Sequence, residues 1–293
     1  MKYLFNLVLV ILLATAGCKK TEPDVTPQPP QLIFKFKFDS TQARLNNLGL
    51  TSTMPIGHAG QSPIFNAMCA HYVELAPTMF TQLGGGQVVY HAPETTTGGS
   101  TAIDHNQSVK AGNNEIFLSV PISGIAPGSY DYLRVSLAYQ NYNVKLQATL
   151  PVLGTQNLIG TIASFIGYNT YIDCYKIKDS TECVNGNKLQ GYWGFETVYS
   201  ATTGAAPAGA TTVPNPIFSS SPIPAGSCVV TAPFAMAPLT ITGSETADIV
   251  IVVSLSTNKS FEWVDTNSDG LWQPLTGENV VDMGIRGMIP TKQ

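Results

Sequence analysis

Acidic and amide side chains alternate in the segment WVDTNSDGLW, near the C-terminal end of the sequence. Oxygen-bearing residues at alternate positions, followed by a glycine, are typical of tight loops that direct several oxygens at one Ca²⁺. The side chains of Asp265, Asn267 and Asp269 would each supply an oxygen. Gly270 would allow the sharp turn, and Leu271 would contribute its backbone carbonyl. The spacing therefore predicts a calcium-binding loop.

The end of this loop differs from that of an EF-hand. An EF-hand carries a bidentate Glu at the twelfth position, which is Thr276 here, and no helical pattern flanks the loop. The segment is similar instead to the Asp-x-Asn-x-Asp-Gly loops between strands of extracellular β domains. Glu278 would close the site, with Asp282 as a second candidate, and the cation would stiffen the loop at affinities of about 10⁻⁴–10⁻³ M. A turn rich in Asn and Asp without metal is the alternative.

A second distinctive residue, Cys18, follows a secretory signal. Lys2 precedes a short apolar run, and the small residues Ala16 and Gly17 stand directly before the cysteine. This pattern predicts a signal peptide over residues 1–17, because the run is shorter than the roughly 20 residues of a transmembrane helix. The ending resembles the lipobox of bacterial lipoproteins, which implies that the cysteine carries lipid such as palmitate. An ordinary cleaved signal with an unrelated cysteine nearby is the alternative.

Proline is dense in residues 18–31, which indicates an extended, semi-rigid tether. At about 3.1 Å per residue, this tether would hold the folded part about 40 Å from the lipid. Residues 32–293 are expected to form one β-sandwich domain, although the residues near 153–161 allow a split into two β domains.

Four cysteines remain when Cys18 is set aside, and an even number predicts two disulfides in an exported chain. Cys174 and Cys183 flank a short hairpin-like segment, in which opposed Cα atoms lie about 4.5–5.5 Å apart, within disulfide reach. Elimination then pairs Cys69 with Cys228. Buried free thiols are the alternative, and without a CxxC sequence neither a redox site nor a zinc knuckle is indicated.

Metal chemistry at histidine is a weaker prediction. None of the four histidines takes part in an HxH or HExxH spacing: His58, His71, His91 and His105. His71 with Met68 and Cys69 would offer a soft copper site, but a disulfide would consume Cys69. Ordinary histidines are therefore favoured, with a copper- or zinc-handling protein as the alternative.

Catalytic signals are weak as well. The sequence contains no GxSxG or HExxH motif, so we do not predict an enzyme. Glu94 with Asp104 would serve as an acid pair for glycoside hydrolysis, which keeps an exported hydrolase as a further alternative.

Charged residues make up 12% of the chain, and the net charge is −4. Such a polar but weakly charged surface is typical of secreted β proteins, and it gives no electrostatic case for a nucleic-acid partner. Since no second apolar stretch is long enough to cross a bilayer, the lipid would provide the attachment to the membrane.

Apolar and polar residues alternate with a period of two in many short segments, such as the one containing Phe34 and Phe36. The run IVIVV over 249–253 predicts a central strand buried on both faces, and the composition of residues 200–227 predicts a long surface loop. No window after the signal shows helical periodicity. We therefore predict an all-β fold, an elaborated antiparallel β-sandwich of Ig-like or jelly-roll-like type without substantial helix.

Several segments resemble uncharacterised lipoproteins of the Bacteroidota. They are the CKK start at Cys18, LRVSLAY from Leu133, QGYWGFE from Gln190 and the ending from Ser260 to Gly287. The resemblance implies a lipoprotein of the outer membrane, on its periplasmic face or at the cell surface, and carries no activity with it.

The anchor, the tether and the β fold together favour a non-catalytic binding or adhesion module with a glycan or protein ligand. Exposed aromatic side chains would supply a stacking surface for that ligand. The candidates are Tyr130, Tyr132, Tyr139, Tyr192 and Trp193.

Overall fold

A computed structural model describes residues 28–46, 48–205 and 228–293. The signal peptide, Cys18, most of the tether and most of the expected loop over 200–227 lie outside the described residues. Within the described ranges, the regular elements are β-strands and two short 3₁₀ turns, Ile122–Gly124 and Pro274–Thr276. The prediction of an all-β, sandwich-like chain without substantial helix is confirmed. No described helix is both long and apolar enough to span a membrane.

The described residues form twenty strands. Their bounds are β1 Gln31–Asp39, β2 His58–Gln61, β3 Ile64–Ala76, β4 Gln87–His91, β5 Glu94–Thr95, β6 Ala102–Asp104, β7 Ile116–Pro121, β8 Gly128–Tyr130, β9 Tyr132–Leu150, β10 Gly154–Phe165, β11 Asn169–Lys176, β12 Thr181–Leu189, β13 Tyr192–Glu196, β14 Ala201–Ala205, β15 Cys228–Pro233, β16 Leu239–Ile241, β17 Ile249–Ser256, β18 Phe261–Val264, β19 Val280–Met283 and β20 Met288–Lys292.

Two sheets pack face to face around the main core. The front sheet has the order β20-β17-β1-β7, and the central sheet has the order β14-β13-β10-β9-β3-β4, with β15 also paired to β9. Leu32, Phe34 and Phe36 of β1 meet Leu133 and Val135 of β9 in one apolar cluster between them. The described strands pair antiparallel except for β1 with β17 and β6 with β11, which are parallel.

A third layer covers the opposite face of the central sheet. This back sheet has the order β12-β11-β6-β5, and a second apolar cluster contains Tyr139 and Phe165 of the central sheet with Ile103 and Ile172 of the back sheet. The first half of β9 is therefore buried on both faces.

In the front sheet, β17 buries alternate residues fully and the intervening ones only in part. The prediction that residues 249–253 form a strand buried on both faces is therefore wrong.

β9 and β10 form a hairpin that continues through the central sheet. Their register runs from Leu150 opposite Gly154 to Tyr139 opposite Phe165, and β9 also pairs with β3 and with β15. Residues 153–161 thus belong to one hairpin of one sheet.

A buried ion pair joins β3 to β9. Glu74 and Arg134 stand opposite each other in the register, and their carboxylate and guanidinium lie 3.0 Å apart with both side chains fully buried. Arg134 also donates to the hydroxyl of Thr231 and the carbonyl of Met79, while the Glu74 carboxylate accepts the Gly86 N–H. These additional bonds satisfy charges that burial would otherwise make costly.

One of the two predicted disulfides forms. Cys174 and Cys183 face each other across β11 and β12 and are bonded, as predicted. Cys69 and Cys228 are instead buried free thiols, so their predicted pairing is wrong. Burial raises the pKa of each of these thiols to about 12.

The topology explains why Cys69 does not reach Cys228. Their strands, β3 and β15, pair with opposite edges of β9, which places them two strand spacings, about 9.5 Å, apart. A disulfide needs Cα atoms within about 7 Å. In addition, Cys69 enters the second apolar cluster and Cys228 the first, on opposite faces of the central sheet.

Candidate metal sites and a ligand cavity

The structure brings three of the five predicted calcium ligands together. Asp265 follows β18 and Glu278 precedes β19, and because these strands pair antiparallel, the loop between them closes on itself. One carboxylate oxygen from each of Asp265, Asp269 and Glu278 lies within 4.8 Å of the other two. Gly270 has φ +73°, the left-handed conformation that glycine adopts without strain, as the predicted sharp turn requires.

Hydrogen bonds hold these carboxylates in place. Glu278 is buried, and its two oxygens accept the backbone N–H groups of Thr266 at 3.3 Å and Gln273 at 2.6 Å. Oδ2 of Asp265 accepts the Gly270 N–H at 2.9 Å, whereas Oδ1 is buried and accepts no hydrogen bond from the described residues. A buried carboxylate oxygen without a donor, beside two further carboxylates, fits a hard cation that binds oxygen.

The other two predicted ligands, Asn267 and Leu271, make hydrogen bonds within the loop. Asn267 stabilises the loop from within, since its carbonyl oxygen accepts the Asp269 N–H and its amide donates to Asp269 and Gln273. The Leu271 N–H donates to Asp269. Asp282, the second candidate for closing the site, pairs with Arg286 at 2.5 Å instead. Burial raises the pKa of Asp282.

A cavity of about 520 Å³ lies directly beside this loop. Its lining combines apolar side chains, amides, one lysine and the backbone of the loop itself. These residues are Gln61, Lys145, Leu146, Gln147, Asn157, Leu158, Ile159, Trp263, Gly270, Leu271 and Trp272. Size and composition match small-ligand pockets, which are mostly apolar with a few fixed polar groups.

The amides of the cavity are fixed before any ligand arrives. The Gln61 side chain donates to the Lys145 carbonyl and accepts the Lys145 N–H, both at 2.7 Å. Gln147 donates to Asn157 at 3.1 Å and accepts from Gln273 at 3.0 Å. Because Gln273 also donates to Asp269 at 2.9 Å, one hydrogen-bond chain links the carboxylate loop to the rim of the cavity.

A second cluster contains two histidines that are far apart in the sequence. His71 of β3 and His91 of β4 have ring centroids 4.9 Å apart. One oxygen of Glu94, at the start of β5, lies 2.9 Å from Nε2 of His71 and 3.7 Å from Nε2 of His91. The Tyr168 hydroxyl donates to the same oxygen at 3.0 Å. Sequence reasoning missed this set, since it found no spacing signal at the histidines.

Burial differs within this histidine cluster. The His71 side chain is only 4% exposed, compared with 50% for His91 and 26% for Glu94. Burial lowers the pKa of His71, which favours the neutral imidazole and makes its contact with Glu94 a hydrogen bond. Nδ1 of His71 is buried without a partner among the described residues.

No protein-family model, curated protein or solved structure matches this chain. The resemblance to lipoproteins of the Bacteroidota therefore stays a prediction. Function rests on the chemistry of the sites, because a β-sandwich by itself supports many activities.

The structure does not assemble the copper set of Met68, Cys69 and His71. Met68 packs in the main core and Cys69 in the second apolar cluster, on opposite faces of the central sheet. The partners of His71 are instead His91 on β4 and Glu94 on β5.

Glu94 and Asp104 do not form the predicted acid pair. Glu94 stands opposite Ile103 in the β5–β6 register, so the neighbouring Asp104 side chain projects to the other face. The Asp104 carboxylate accepts bonds from its own turn, including the Asn106 N–H at 3.0 Å.

The predicted aromatic stacking surface is also not assembled as expected. Tyr130 and Tyr139 are buried, and the other three candidates are half-buried. The Trp193 indole donates to the Ala205 carbonyl, and the Lys188 ammonium lies 5.0 Å from the Tyr192 ring. These side chains pack within the fold, so the cavity is the better candidate for ligand contact.

Proposed function

We propose that this chain is an exported lipoprotein, attached to the outer membrane through lipid on Cys18, and that its β-sandwich is a non-catalytic binding module for a glycan. In this proposal, Ca²⁺ on Asp265, Asp269 and Glu278 stiffens the loop that bounds the binding cavity. A peptide segment of a partner protein is the second ligand class that the same cavity would accept.

One observation supports the proposal most directly. Gly270 and Leu271 belong to the carboxylate loop and also line the cavity, so a cation that orders the loop also orders a cavity wall. Apolar surface beside fixed amides suits a sugar, whose C–H faces pack on apolar groups while its hydroxyls exchange hydrogen bonds with amides.

The test is a glycan and peptide array probed with the purified full-length chain, in Ca²⁺ and in EGTA. Ile159, which is exposed at the cavity, is changed to Glu, and the exposed Ile56 outside the cavity is changed to Glu as the matched control. We expect ligand capture that weakens in EGTA, is lost in Ile159→Glu and persists in Ile56→Glu. Absence of any ligand, or equal capture by both variants, contradicts the binding proposal.

The anchor is tested separately. We expect cells that produce the chain to label it with radioactive palmitate, and the Cys18→Ser variant to lose that label together with its membrane fraction. Equal labelling of both chains contradicts the lipid anchor without affecting the cavity test.

A further inference from the structure

We propose that His71, His91 and Glu94 form a binding site for a divalent transition metal of the Zn²⁺ class. This goes beyond the proposed function, since neither the calcium loop nor the ligand cavity includes any of these residues.

The distances suit such an ion. At Zn–N and Zn–O distances of about 2.1 Å, two ligands of a tetrahedral zinc lie about 3.4 Å apart. The contacts of the Glu94 oxygen, 2.9 Å to His71 and 3.7 Å to His91, fall on either side of this value. The three ligand atoms all lie within 4.8 Å of one another, and the His91 side chain, which is half-exposed, is the one that would move to complete the geometry.

The donor set separates this site from the calcium loop. Two imidazoles and one carboxylate are a ligand set used by zinc proteins, whereas Ca²⁺ prefers oxygen alone. Nε2 of His71 lies 2.9 Å from a carboxylate oxygen, and two acceptors at this distance need a proton or a cation between them. A bound metal would displace that proton.

The surroundings indicate how the ion would be held and exchanged. His71 is fixed by burial, and the Tyr168 hydroxyl orients the Glu94 carboxylate from outside the ligand set. Because the His91 side chain is half-exposed, the fourth position of a tetrahedral ion would face solvent and take water. Such a three-ligand site permits exchange of the metal with the medium.

The experiment uses the full-length chain, purified without a polyhistidine tag and stripped of metal. Co²⁺ is added as an optical probe and then displaced by Zn²⁺, with both steps followed by visible absorption and calorimetry. His91→Ala and Glu94→Gln change the more exposed ligands, so that folding is kept. His58→Ala and Asp265→Asn serve as controls at another histidine and at the calcium loop.

We expect one equivalent of Co²⁺ to give d–d bands that Zn²⁺ removes. His91→Ala and Glu94→Gln should each weaken Zn²⁺ binding by about tenfold or more, and the two controls should leave it unchanged. The absence of both d–d bands and binding heat on addition of Co²⁺ and Zn²⁺ would overturn the site. Binding that survives in His91→Ala and Glu94→Gln, or that is lost in His58→Ala or Asp265→Asn, would overturn it equally.

Discussion

The carboxylate loop between β18 and β19 and the histidine cluster are built in opposite ways. The three carboxylates of the loop come from one segment between β18 and β19, and backbone N–H groups hold them in place. The histidine cluster takes one residue from each of β3, β4 and β5, and its deepest member, His71, sits in the central sheet. The loop depends on local chain geometry, and the histidine cluster depends on the whole sandwich.

This difference predicts different responses to damage. A change that weakens the central sheet should affect the histidine cluster before the loop, because β3 carries His71 while the loop has its own hydrogen bonds. Changes inside the loop should have small, local effects that depend on calcium.

The largest effect is expected from Arg134→Met. This change leaves the Glu74 carboxylate buried without its partner, three residues from His71 on β3. The free energy of unfolding should fall by about 3–5 kcal/mol, measured by urea denaturation, and Zn²⁺ affinity should fall with it.

The double variant Glu74→Met with Arg134→Met is the control. It removes both charges, so it should cost less than the single change, although the bonds to Thr231 and Gly86 are lost. If the free energy of unfolding of Arg134→Met lies within about 1 kcal/mol of that of the unaltered chain, the ion pair does not hold β3 in place.

Acidic pH should lower the free energy of unfolding through the buried histidine His105. Burial, aided by the nearby Lys110 charge and opposed by Asp104, lowers the pKa of His105 to about 3, against about 6.5 when unfolded. As the pH falls below 6.5, the unfolded chain takes up a proton that the folded chain does not, so stability is lost with falling pH. At pH 5 the loss from His105 is about 2 kcal/mol.

His105→Phe isolates this effect. Its ring lies 4.9 Å from both Tyr139 and Phe165, so phenylalanine keeps the aromatic packing. The drop in unfolding free energy between pH 7 and pH 5 should shrink by about 2 kcal/mol, with the remaining drop including the contribution of His71. An unchanged drop would mean that His105 is not held neutral by burial.

Local patterns in the sequence predicted what local geometry decides. Period-two alternation located β1, and the short hairpin spacing predicted the bond between Cys174 and Cys183. The oxygen spacing predicted a loop in which Asp265, Asp269 and Glu278 do converge. In the disulfide and in the loop, the partners lie within one hairpin.

Features that depend on distant pairing were missed. The pairing of Cys69 with Cys228 by elimination ignored that β9 separates their strands. Alternation of polar and apolar residues around Arg134 is typical of a strand with one exposed face, whereas the Arg134 side chain is fully buried. β3 also has register shifts between Cys69 and Tyr72, so simple alternation does not tell which face His71 occupies. Only the assembled sheets bring it to His91.

The smallest effect, and the most specific to the loop, is expected from Asn267→Asp. Asn267 donates its amide to Asp269 and Gln273, and aspartate would replace these bonds with a fourth negative charge. In EGTA the free energy of unfolding of the variant should therefore be about 1 kcal/mol lower than that of the unaltered chain, and its melting temperature roughly 2–4 °C lower.

In millimolar Ca²⁺ this difference in melting temperature should narrow or reverse, because added ligand charge strengthens calcium binding. Asn267→Ser, which removes the amide without adding charge, should show the loss without the recovery. If calcium raises the melting temperature of Asn267→Asp no more than that of Asn267→Ser, the carboxylates of this loop are a hydrogen-bonded turn and not a cation site.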